Sequence, residues 1–494
     1  MRAEIRFLLG SQELVLRDFP ATQTVLRYLR EDMGRCGSKE GCAEGDCGAC
    51  TVVVGELAAD GNRIAYQAIN ACIALLGSLD GKQLITVEDL RGPNGALHPV
   101  QQFMVDNHGS QCGFCTPGIV MSLFALQHGA QGADEQQITD ALAGNLCRCT
   151  GYGPILESGR QAVATPVCDG FDSPANRKRL QSIAADDPVE VRHGEQHFFA
   201  PTDSSQLCGL MAEHPDAVLV AGCTDVGLWV TKQHRDIDTL IYLGNIKTLR
   251  EMNEQRGSLQ IGAMVTYSQA LQCIAGHYPD FAEMIRVLGG LQVRNVGTIG
   301  GNIANGSPIG DTPPVLIALG ATVCLRSSSG VREIALEDFY IDYGQQDLRR
   351  GEFLESVRLP LPKPGWRLCC YKVSKRREQD ISAVSAAFHV HLSNDGPTRQ
   401  VTEIRVAYGG MAGIPKRAMA LEKALLGQAW NSAAVTPLLD ALDEDFTPLS
   451  DLRASADYRR EVARNLVLRC VLETGQDAAC VRLFPALEAA RVAS

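Results

Sequence analysis

The sequence Gly41-Cys42-Ala43-Glu44-Gly45-Asp46-Cys47-Gly48-Ala49-Cys50 decides how the first part of the chain folds. Its cysteines follow the spacing C-x4-C-x2-C, and one more cysteine comes later in the chain. The glycines of this stretch allow sharp turns, because glycine reaches backbone conformations that a Cβ forbids. Such a loop wraps a small central group and directs amide N–H groups toward its sulfur atoms. The four predicted ligands of a metal centre here are Cys42, Cys47, Cys50 and Cys72.

The spacing of these cysteines favours one metal centre over another. C-x4-C-x2-C followed by a distant cysteine is the plant-type arrangement, in which four thiolates hold a [2Fe–2S] cluster. A tetrahedral zinc site is the alternative, but zinc sites favour paired C-x2–4-C knuckles, and here a single knuckle overlaps the longer spacing. The spacing therefore predicts a [2Fe–2S] cluster.

The residues around this loop predict a small mixed sheet packed on one helix. Ile5–Leu9 and Glu13–Leu16 flank a glycine-containing turn, which is typical of a hairpin. Val25, Leu26 and Leu29 have helical spacing, and strands are predicted at residues 51–54 and 84–87. We expect the first domain to cover residues 1–85.

A second group of cysteines follows in a region with helical periodicity, residues 86–165. The sequences are QCGFCTPG at residues 111–118 and NLCRCTGY at residues 145–152. A C-x-C pair is too short to span one zinc comfortably, although zinc is not excluded, so the spacing favours a second iron–sulfur site. Pro117 suits the first turn of a helix. The predicted ligands are Cys112, Cys115, Cys147 and Cys149.

Composition sets the class of protein. A chain of 494 residues is too long for one hydrophobic core, so three or four domains are expected. The net charge of −11 includes no basic run, which argues against a nucleic-acid partner. We find neither an apolar stretch of membrane-spanning length nor a signal peptide, so a cytoplasmic location is expected. The 18 cysteines are then interpreted as metal ligands and reduced thiols.

Two glycine-bearing loops dominate the region after residue 190. Glycine lets backbone amides approach a pyrophosphate closely, and successive N–H groups in a turn bind anions. From the residues alone, a nucleotide site and ordinary turns remain open alternatives. We find no G-x-G-x-x-G after a strand, so a Rossmann site is not supported. The loops are residues 219–226, LVAGCTDV, and residues 292–311, QVRNVGTIGGNIANGSPIGD.

The ferredoxin-type loop followed by QCGFCTPG and GNLCRCTGY resembles the iron–sulfur half of the molybdenum hydroxylases, the xanthine dehydrogenase and aldehyde oxidase family. These motifs cover about the first 155 residues. The resemblance implies two [2Fe–2S] clusters that relay single electrons between a molybdopterin site and a flavin. It also places Cys149 and Gln111 where the chain meets the molybdenum cofactor, although a loop glutamine satisfied by backbone is the simpler interpretation of Gln111.

The later loops resemble the flavin-binding domain of the same family, which is of the vanillyl-alcohol oxidase type and binds FAD non-covalently. Residues 219–226 would wrap the adenosine diphosphate part of FAD, residues 298–302 would hold its pyrophosphate, and three further residues would touch it. The implied FAD contacts are Leu219, Val220, Ala221, Gly222, Cys223, Thr224, Asp225, Val226, Thr298, Ile299, Gly300, Gly301, Asn302, Asp311, Leu354 and Lys372.

Four positions near the flavin bear on its electrostatics. Lys372 would be a cation able to stabilise reduced, anionic flavin, with a surface lysine in a basic run as its alternative. Leu288 stands where animal members have an aromatic residue against the flavin ring, and Gln379 replaces an acidic residue. Tyr343 falls near the expected nicotinamide approach. NAD as acceptor is therefore less firmly implied than FAD.

The whole chain is thus expected to be a multidomain α+β protein. It would contain a plant-type ferredoxin β-grasp domain, a helical [2Fe–2S] domain, a vanillyl-alcohol oxidase-type FAD-binding domain and a C-terminal α/β sandwich lobe. Ser455 is a plausible N-cap of a helix in the last domain. Cys369, Cys370, Cys470 and Cys480 of the last domain are expected to pack as small hydrophobic residues, and Cys36 is interpreted as a thiol outside the metal-binding pattern. The predicted boundaries are 1–85, 86–165, a polar linker at 166–190, 191–365 and 366–494.

The resemblance implies an iron–sulfur and FAD subunit of the xanthine dehydrogenase type. A separate molybdopterin subunit would hydroxylate hypoxanthine and xanthine to urate, since longer family members continue into a molybdenum-binding region. Electrons would pass through both clusters to FAD and then to NAD, in a heterotetramer with two of each chain. The alternatives are a subunit of an aldehyde, carbon monoxide or aromatic-CoA molybdenum enzyme, and a stand-alone diaphorase. No catalytic acid or base is expected in this chain.

Overall fold

The computed structural model describes residues 1–129, 132–167, 169–393 and 399–474. Predictions on Cys168 and Cys480 lie outside these ranges. The described residues divide into two compact units, and the chain passes between them more than once. The first unit contains Met1–Thr248 and Gly289–Thr298, and the second contains Leu249–Leu288 and the residues from Ile299 onward.

The strands of the described residues are β1 (Ile5–Leu9), β2 (Gln12–Leu16), β3 (Thr51–Leu57), β4 (Ile64–Asn70), β5 (Gln83–Ile85), β6 (Val189–His193), β7 (Gln196–Ala200), β8 (Val218–Val220), β9 (Thr239–Tyr242), β10 (Met252–Gln255), β11 (Ser258–Gly262), β12 (Thr322–Ser327), β13 (Gly330–Ala335), β14 (Tyr340–Asp342), β15 (Gln345–Gln346), β16 (Phe353–Pro360), β17 (Trp366–Val373), β18 (Val384–Leu392), β19 (Val401–Gly409) and β20 (Lys416–Arg417).

The α-helices of the same residues are α1 (Val25–Arg27), α2 (Pro99–Asp106), α3 (Thr116–Gly129), α4 (Glu135–Leu142), α5 (Gly153–Ala164), α6 (Pro174–Ser182), α7 (Ser204–Glu213), α8 (Val226–Thr231), α9 (Tyr267–His277), α10 (Pro279–Arg286), α11 (Leu291–Arg294), α12 (Ile299–Asn305), α13 (Thr312–Ala318), α14 (Leu336–Phe339), α15 (Met419–Leu425), α16 (Ser432–Val435), α17 (Leu442–Asp445) and α18 (Ala456–Glu473). Short 3-10 turns and one π turn, Tyr28–Asp32, accompany them.

The first unit begins with the predicted mixed sheet. Its strand order is β2-β1-β5-β3-β4, with β1 and β5 parallel and the other pairs antiparallel. The hairpin at the N-terminus pairs Ile5 with Leu16, as the alternation of its residues predicted. Strand β4 was not foreseen from the sequence, and it is the strand that carries the chain to Cys72.

The helices of residues 86–165 pack against this sheet. Phe124 of α3 is fully buried in one core with Val53 of β3. A second, four-stranded sheet of order β6-β7-β9-β8 also belongs to the first unit. Val220 of β8 lies in one core with Ile5 and Cys72, so the first glycine-bearing loop is fixed on the cluster-binding part of the chain.

The segment predicted as a polar linker is more ordered than its composition indicated. It contains α6, which begins with the N-cap Ser173 and a proline in its first turn. Leu180 is 1% exposed and packs with Phe171 and Val53 in the core of the helical region. A single apolar face over two turns is too short to give a sustained period in the sequence, so this helix was not predicted. The assignment of residues 166–190 as a linker between two domains stays a prediction.

The described residues of the second unit form two larger sheets and the two-stranded sheet β14-β15. One has the order β10-β11-β16-β12-β13, with β10 at its edge, and its core includes α9, α10 and α13. The other, β17-β18-β19-β20, is antiparallel and is covered by the C-terminal helices. Ser455 caps α18 as predicted, since its hydroxyl accepts from the amide of Tyr458. None of the described helices combines the length and the apolarity that crossing a membrane requires.

Candidate functional site

Strand pairing brings the first four thiols together. Thr51 of β3 pairs with Asn70 of β4, so Cys50 just before β3 and Cys72 just after β4 meet at the same end of the pair. Both cysteines are buried. Their sulfur atoms contact each other, and Cys72 also lies within electrostatic range of Cys42. The sheet therefore holds one half of the predicted ligand set in place.

The loop before β3 supplies the other half of the set. The amide N–H of Cys47 donates to Sγ of Cys42 at 3.3 Å. A Cβ on Gly41 would lie 2.8 Å from Sγ of Cys47, and Gly45 and Gly48 have φ values of 78° and 70°. The loop thus needs glycine in the way the sequence indicated, for space at Gly41 and for left-handed backbone at the other two.

Hydrogen bonds shift the pKa values of the thiols in the first group. The side chain of Cys47 and the nearby backbone amides lower the pKa of Cys42 to about 5, whereas contact with Cys42, followed by burial, raises the pKa of Cys47. Donors aimed at a sulfur atom favour its thiolate form, which is the form that binds metal. The amide donors around Cys42 therefore suit an anionic sulfur atom at that position.

The second four thiols gather at the start of one helix and the turn before another. Cys115 directly precedes α3, while Cys147 and Cys149 lie in the turn before α5. Sγ of Cys112 contacts Cys149, and Sγ of Cys115 contacts Cys147. The hydroxyl of Thr150 lies 3.2 Å from Sγ of Cys147. All four predicted ligands of this group are thus brought together.

The two thiol groups differ in exposure. Cys112 and Cys149 are exposed, as are Phe114 and Leu146, which are 48% and 39% exposed. In the first group, by contrast, no described ligand is fully exposed. Gln111 is also exposed. The second group therefore presents sulfur atoms and two large apolar side chains at the surface of the first unit.

One backbone hydrogen bond joins the two cysteine loops. The amide of Leu146 donates to the carbonyl oxygen of Cys47 at 3.0 Å. Next to it, the side-chain amide of Asn145 donates to the carbonyl of Gly48 at 3.1 Å. The ligands Cys47 and Cys147 are thus separated by a short path of covalent bonds and one hydrogen bond.

A buried glutamine secures this junction. Gln292 is 0% exposed, and its Nε2 donates to Oδ1 of Asn145 at 2.9 Å and to Oγ of Ser122 at 3.1 Å. A Cβ on Gly144 would lie 1.8 Å from Oε1 of Gln292, so this close approach needs glycine. No role was predicted for Asn145 or Gln292, although both stand within the quoted motifs. The sequence feature that could have indicated their role is an amide side chain within a cysteine motif or a glycine-bearing loop.

The first glycine-bearing loop meets the start of the second one inside the first unit. A Cβ on Gly222 would lie 1.7 Å from the carbonyl oxygen of Val296, so the two backbones are in direct contact. Cys223 has a φ of 64° and is buried, and burial raises the pKa of its thiol to about 12. Cys223 is therefore a turn residue. Residues 219–226 leave β8 at Val220 and enter α8 at Val226, with Asp225 exposed at the helix start.

The remaining predicted FAD contacts divide between the units. Thr298 ends the first unit and is buried, whereas Ile299 begins α12 in the second unit. The amide of Gly300 donates to the carbonyl of Ala263, and a Cβ on Gly300 would lie 2.5 Å from Ala263. Within α12, Gly301 is partly exposed and Asn302 accepts from the hydroxyl of Thr312 at 3.0 Å.

Lys372 lies in a buried, paired arrangement within the second unit. Its Nζ donates to Oδ2 of Asp311 at 2.5 Å and to Oγ of Ser382 at 3.0 Å. The side chains of Lys372 and Asp311 are 7% and 8% exposed, so this lysine does not belong to a surface basic run. Leu354 is buried in the hydrophobic core around the five-stranded sheet of the second unit, where its side chain contributes to packing.

The positions that depart from animal members also lie in the second unit. Leu288 packs against the core of that unit. Gln379 has a φ of 54° and is buried, while Tyr343 is 73% exposed. Tyr343 therefore lies on the surface of the second unit.

These residues fit the predicted groups. Each set of four thiols converges, and the first is lined by amide donors, which suits iron–sulfur centres. At Gly222 and at Gly300 another backbone segment of the same unit packs directly against the glycine, so neither position has space for a side chain. The described residues therefore bring together two sets of four thiols suited to two clusters, and the FAD contacts stay a prediction.

Comparisons with known proteins agree with this arrangement. Four family models match in order: a 2Fe-2S iron-sulfur cluster binding domain at residues 12–77, a [2Fe-2S] binding domain at 86–160, an FAD binding domain in molybdopterin dehydrogenase at 192–362, and a CO dehydrogenase flavoprotein C-terminal domain at 369–474. The matches confirm the predicted fold class.

Relatives match most of the chain. Xanthine dehydrogenase 1 of Arabidopsis thaliana is 32% identical over 87% of this chain, which spans 36% of that protein. Among solved structures, a carbon monoxide dehydrogenase from Hydrogenophaga pseudoflava is 29% identical, with a TM-score of 0.52 over 55% of this chain and 94% of that one. Quinoline 2-oxidoreductase from Pseudomonas putida 86 is 27% identical, with a TM-score of 0.52 over 56% and 96%. This chain thus spans about a third of the length of the curated relative.

Proposed function

Because the chain belongs to the molybdenum hydroxylase family, of which it carries the [2Fe–2S] and FAD region, we propose that it is the electron-transfer part of a xanthine dehydrogenase. In this role it passes electrons from a molybdopterin partner to NAD. The observation that carries the proposal is the hydrogen bond from Leu146 to Cys47, since it directly links two groups of four thiols. Two one-electron centres joined in this way suit a relay.

The chain's own residues hold and insulate the cofactors. Cys42, Cys47, Cys50 and Cys72 hold one cluster, and Cys112, Cys115, Cys147 and Cys149 hold the other. Residues 219–226 and 298–302, with Asp311, Leu354 and Lys372, bind FAD. When bound, the clusters carry electrons singly and the flavin collects two. The buried amide network of Gln292 and Asn145 keeps the two cysteine loops in register and excludes water between them.

The exposed second thiol group is the proposed contact with the molybdopterin partner. Cys112 and Cys149 reach the surface beside Phe114, which offers an apolar anchor of the type found at protein interfaces. A buried cluster could not receive electrons from outside as directly. We propose that the partner lies on a separate subunit in a heterotetramer; the carbon monoxide dehydrogenase chain, matched over 94% of its length by 55% of this chain, is an example of a separate chain built from only some of these domains.

Xanthine as the substrate is supported by the xanthine dehydrogenase relative, which aligns with most of this chain, and NAD as the acceptor is proposed from the sequence resemblance. The exposed surface at Tyr343 is consistent with a nicotinamide approach. A cytoplasmic location also remains a prediction.

Purification of the native complex tests the function. We expect the chain to co-purify with a molybdopterin protein and the complex to reduce NAD when xanthine is added. Xanthine-dependent reduction of a dye but not of NAD would reject the acceptor and keep the relay. An active chain that never associates with a molybdopterin protein would instead support a diaphorase.

A second candidate follows from the quinoline and carbon monoxide enzyme structures, which show that the same fold serves other molybdenum chemistry. In that case the complex would oxidise an aldehyde, carbon monoxide or an aromatic compound and leave xanthine untouched. Assays of the same purified complex with these substrates separate the two candidates.

A further inference from the structure

Three side chains with metal-binding atoms meet at the edge of the larger sheet in the second unit. Glu254 lies on the edge strand β10, and Cys273 and His277 lie on α9. One carboxylate oxygen, the sulfur atom and one ring nitrogen of these residues all lie within 4.8 Å of one another. This group is separate from both cysteine groups and from every residue assigned to FAD.

The positions of the three residues follow from the local fold. Cys273 and His277 are four residues apart on α9, so they project from the same helix face, one turn apart. Ala270 and Ile274 of this helix are buried in the core, which fixes its rotation, and Cys273 and His277 lie beside them on the same side of the helix. The helix start is set by a capping box of Thr266 and Gln269. Two rigid elements therefore present the three ligand atoms.

The chemistry of the ligand atoms selects the cation. One thiol, one imidazole and one carboxylate match zinc, which takes sulfur, nitrogen and oxygen ligands in tetrahedral sites. His277 Nε2 already lies 2.8 Å from a carboxylate oxygen of Glu254, as two ligands of one metal ion would be arranged with little movement. A magnesium or calcium site would instead be built from oxygen atoms alone.

Exposure allows a cation to enter. The side chains of Glu254 and His277 are 53% and 24% exposed, and Cys273 is half-buried. A comparable group of Asp280, Cys369 and Glu473 is less suitable. There, Glu473 is buried and accepts hydrogen bonds from the hydroxyl of Tyr371 and the guanidinium of Arg469, which leaves its carboxylate engaged.

We propose that Glu254, Cys273 and His277 form a zinc-binding site that fastens helix α9 to the edge strand β10. The three protein ligands leave one tetrahedral position for water or a small anion. Occupancy stabilises the second unit, because a ligand that binds the folded state raises its stability by mass action. The edge of the sheet is also blocked against pairing with another strand.

Zinc titration of the full chain with its clusters and FAD bound tests the proposal. We expect one zinc ion to bind per chain while iron content and visible absorbance stay constant. X-ray absorption at the zinc edge should show one sulfur ligand together with nitrogen and oxygen ligands. Zinc that enters only as iron leaves would mean that it binds the cluster cysteines, and the proposal would be rejected.

Substitution of the proposed ligands tests which residues bind the zinc ion. Cys273→Ser and His277→Gln should each weaken zinc binding by at least about 100-fold, because loss of a ligand costs no less than loss of a supporting residue. Cys36→Ser is the matched control, since Cys36 is an exposed thiol outside both cysteine groups and should leave zinc affinity unchanged.

Glu254→Gln changes the most exposed of the three ligands, so it is the variant least able to disturb folding and keeps the proposal testable if the other two variants misfold. Equal thermal midpoints of variant and parent without zinc would show that the fold is intact. Zinc affinity unchanged in Cys273→Ser would overturn the proposal, whatever the redox activity of the chain.

Discussion

The amide nitrogen of Leu146 donates to the carbonyl oxygen of Cys47 at 3.0 Å, so the second cysteine loop is fixed directly on the first. Gly48 and Asn145, the residues next to this pair, form a second hydrogen bond across the same junction. The spacing between the two predicted clusters is thus set by backbone atoms, which have little freedom once both loops are folded.

The buried amide of Gln292 should be essential to this junction. Gln292→Leu removes the donor to Asn145 and Ser122, and we expect a loss of about 0.5–1.5 kcal/mol, the net contribution of a typical hydrogen bond, since Oδ1 of Asn145 still accepts from the hydroxyl of Ser122. Thermal or denaturant unfolding measures the effect. Gln102→Leu is the control, since Gln102 is exposed and its side-chain amide donates to the carboxylate of Asp106 on the protein surface. Equal stability of both variants would show that the network carries no energy.

Steric crowding at Gly48 should contribute more to the stability cost of an alanine substitution than its left-handed backbone conformation does. A Cβ there would lie 2.1 Å from the carbonyl oxygen of Gly144, whereas a Cβ on Gly151 would meet nothing within 4 Å. Both glycines have similar φ values, 70° and 67°. Gly151→Ala should therefore cost about 1–2 kcal/mol from strain alone. Gly48→Ala should cost clearly more and reduce the iron content; equal iron loss in both would reject the crowding argument.

Much of this arrangement was accessible from the sequence, and the reasons are physical. Thiol spacing and glycines report directly on a metal loop, so all eight predicted ligands come together in two groups. The roles of Asn145 and Gln292 were missed because a hydrogen bond between residues far apart in the chain leaves no periodic pattern. The helix Pro174–Ser182 was missed because two helical turns are too short to show a periodic pattern of apolar residues. The division of the predicted FAD-binding region between two compact units could not be predicted for the same long-range reason.

The exposed second thiol group should govern transfer from the molybdopterin partner. We expect Cys149→Ser to reduce xanthine-dependent electron transfer sharply and to leave NADH-to-dye activity through FAD largely intact. Both activities are measured on the same purified complex. Equal loss of both would contradict the assigned order of the centres.

A matched substitution in the first group distinguishes order from general damage. Cys72 is buried in the core of the first unit, unlike Cys149. Cys72→Ser should therefore lower both the stability of the chain and the iron content. If Cys149→Ser destabilised the chain as much as Cys72→Ser, its activity loss could not be assigned to electron transfer.

The buried pair of Lys372 and Asp311 should contribute strongly to the second unit. Lys372→Met leaves the Asp311 carboxylate without its cation, and we expect a loss of about 3–5 kcal/mol together with weaker FAD retention. The double variant Lys372→Met/Asp311→Asn should recover part of this stability, since no buried charge is left unpaired. Unfolding of the parent, the two single variants Lys372→Met and Asp311→Asn, and the double variant forms a double-mutant cycle, and additive losses would show that the pair is not coupled.

Stability at low pH should depend on Asp169. Burial alone would raise the pKa of Asp169, but hydrogen bonds from His128 and His98 outweigh it and hold the pKa well below the usual range. A carboxylate with a lowered folded-state pKa stabilises the protein above its unfolded-state pKa of about 4, and this contribution is lost as the pH falls below that value.

Asp169→Asn should therefore cost about 1.5–3 kcal/mol at pH 7 and less at low pH. Thermal midpoints measured from neutral to acidic pH test this dependence. A constant difference between variant and parent across the range would contradict it.

Electron paramagnetic resonance of the dithionite-reduced chain, together with iron analysis, tests the central claim most directly. We predict two distinct [2Fe–2S] signals and about four iron atoms per chain, because two groups of four thiols each hold one cluster. A reduced chain without either signal, or one that contains stoichiometric zinc at these thiols in place of iron, would contradict the account.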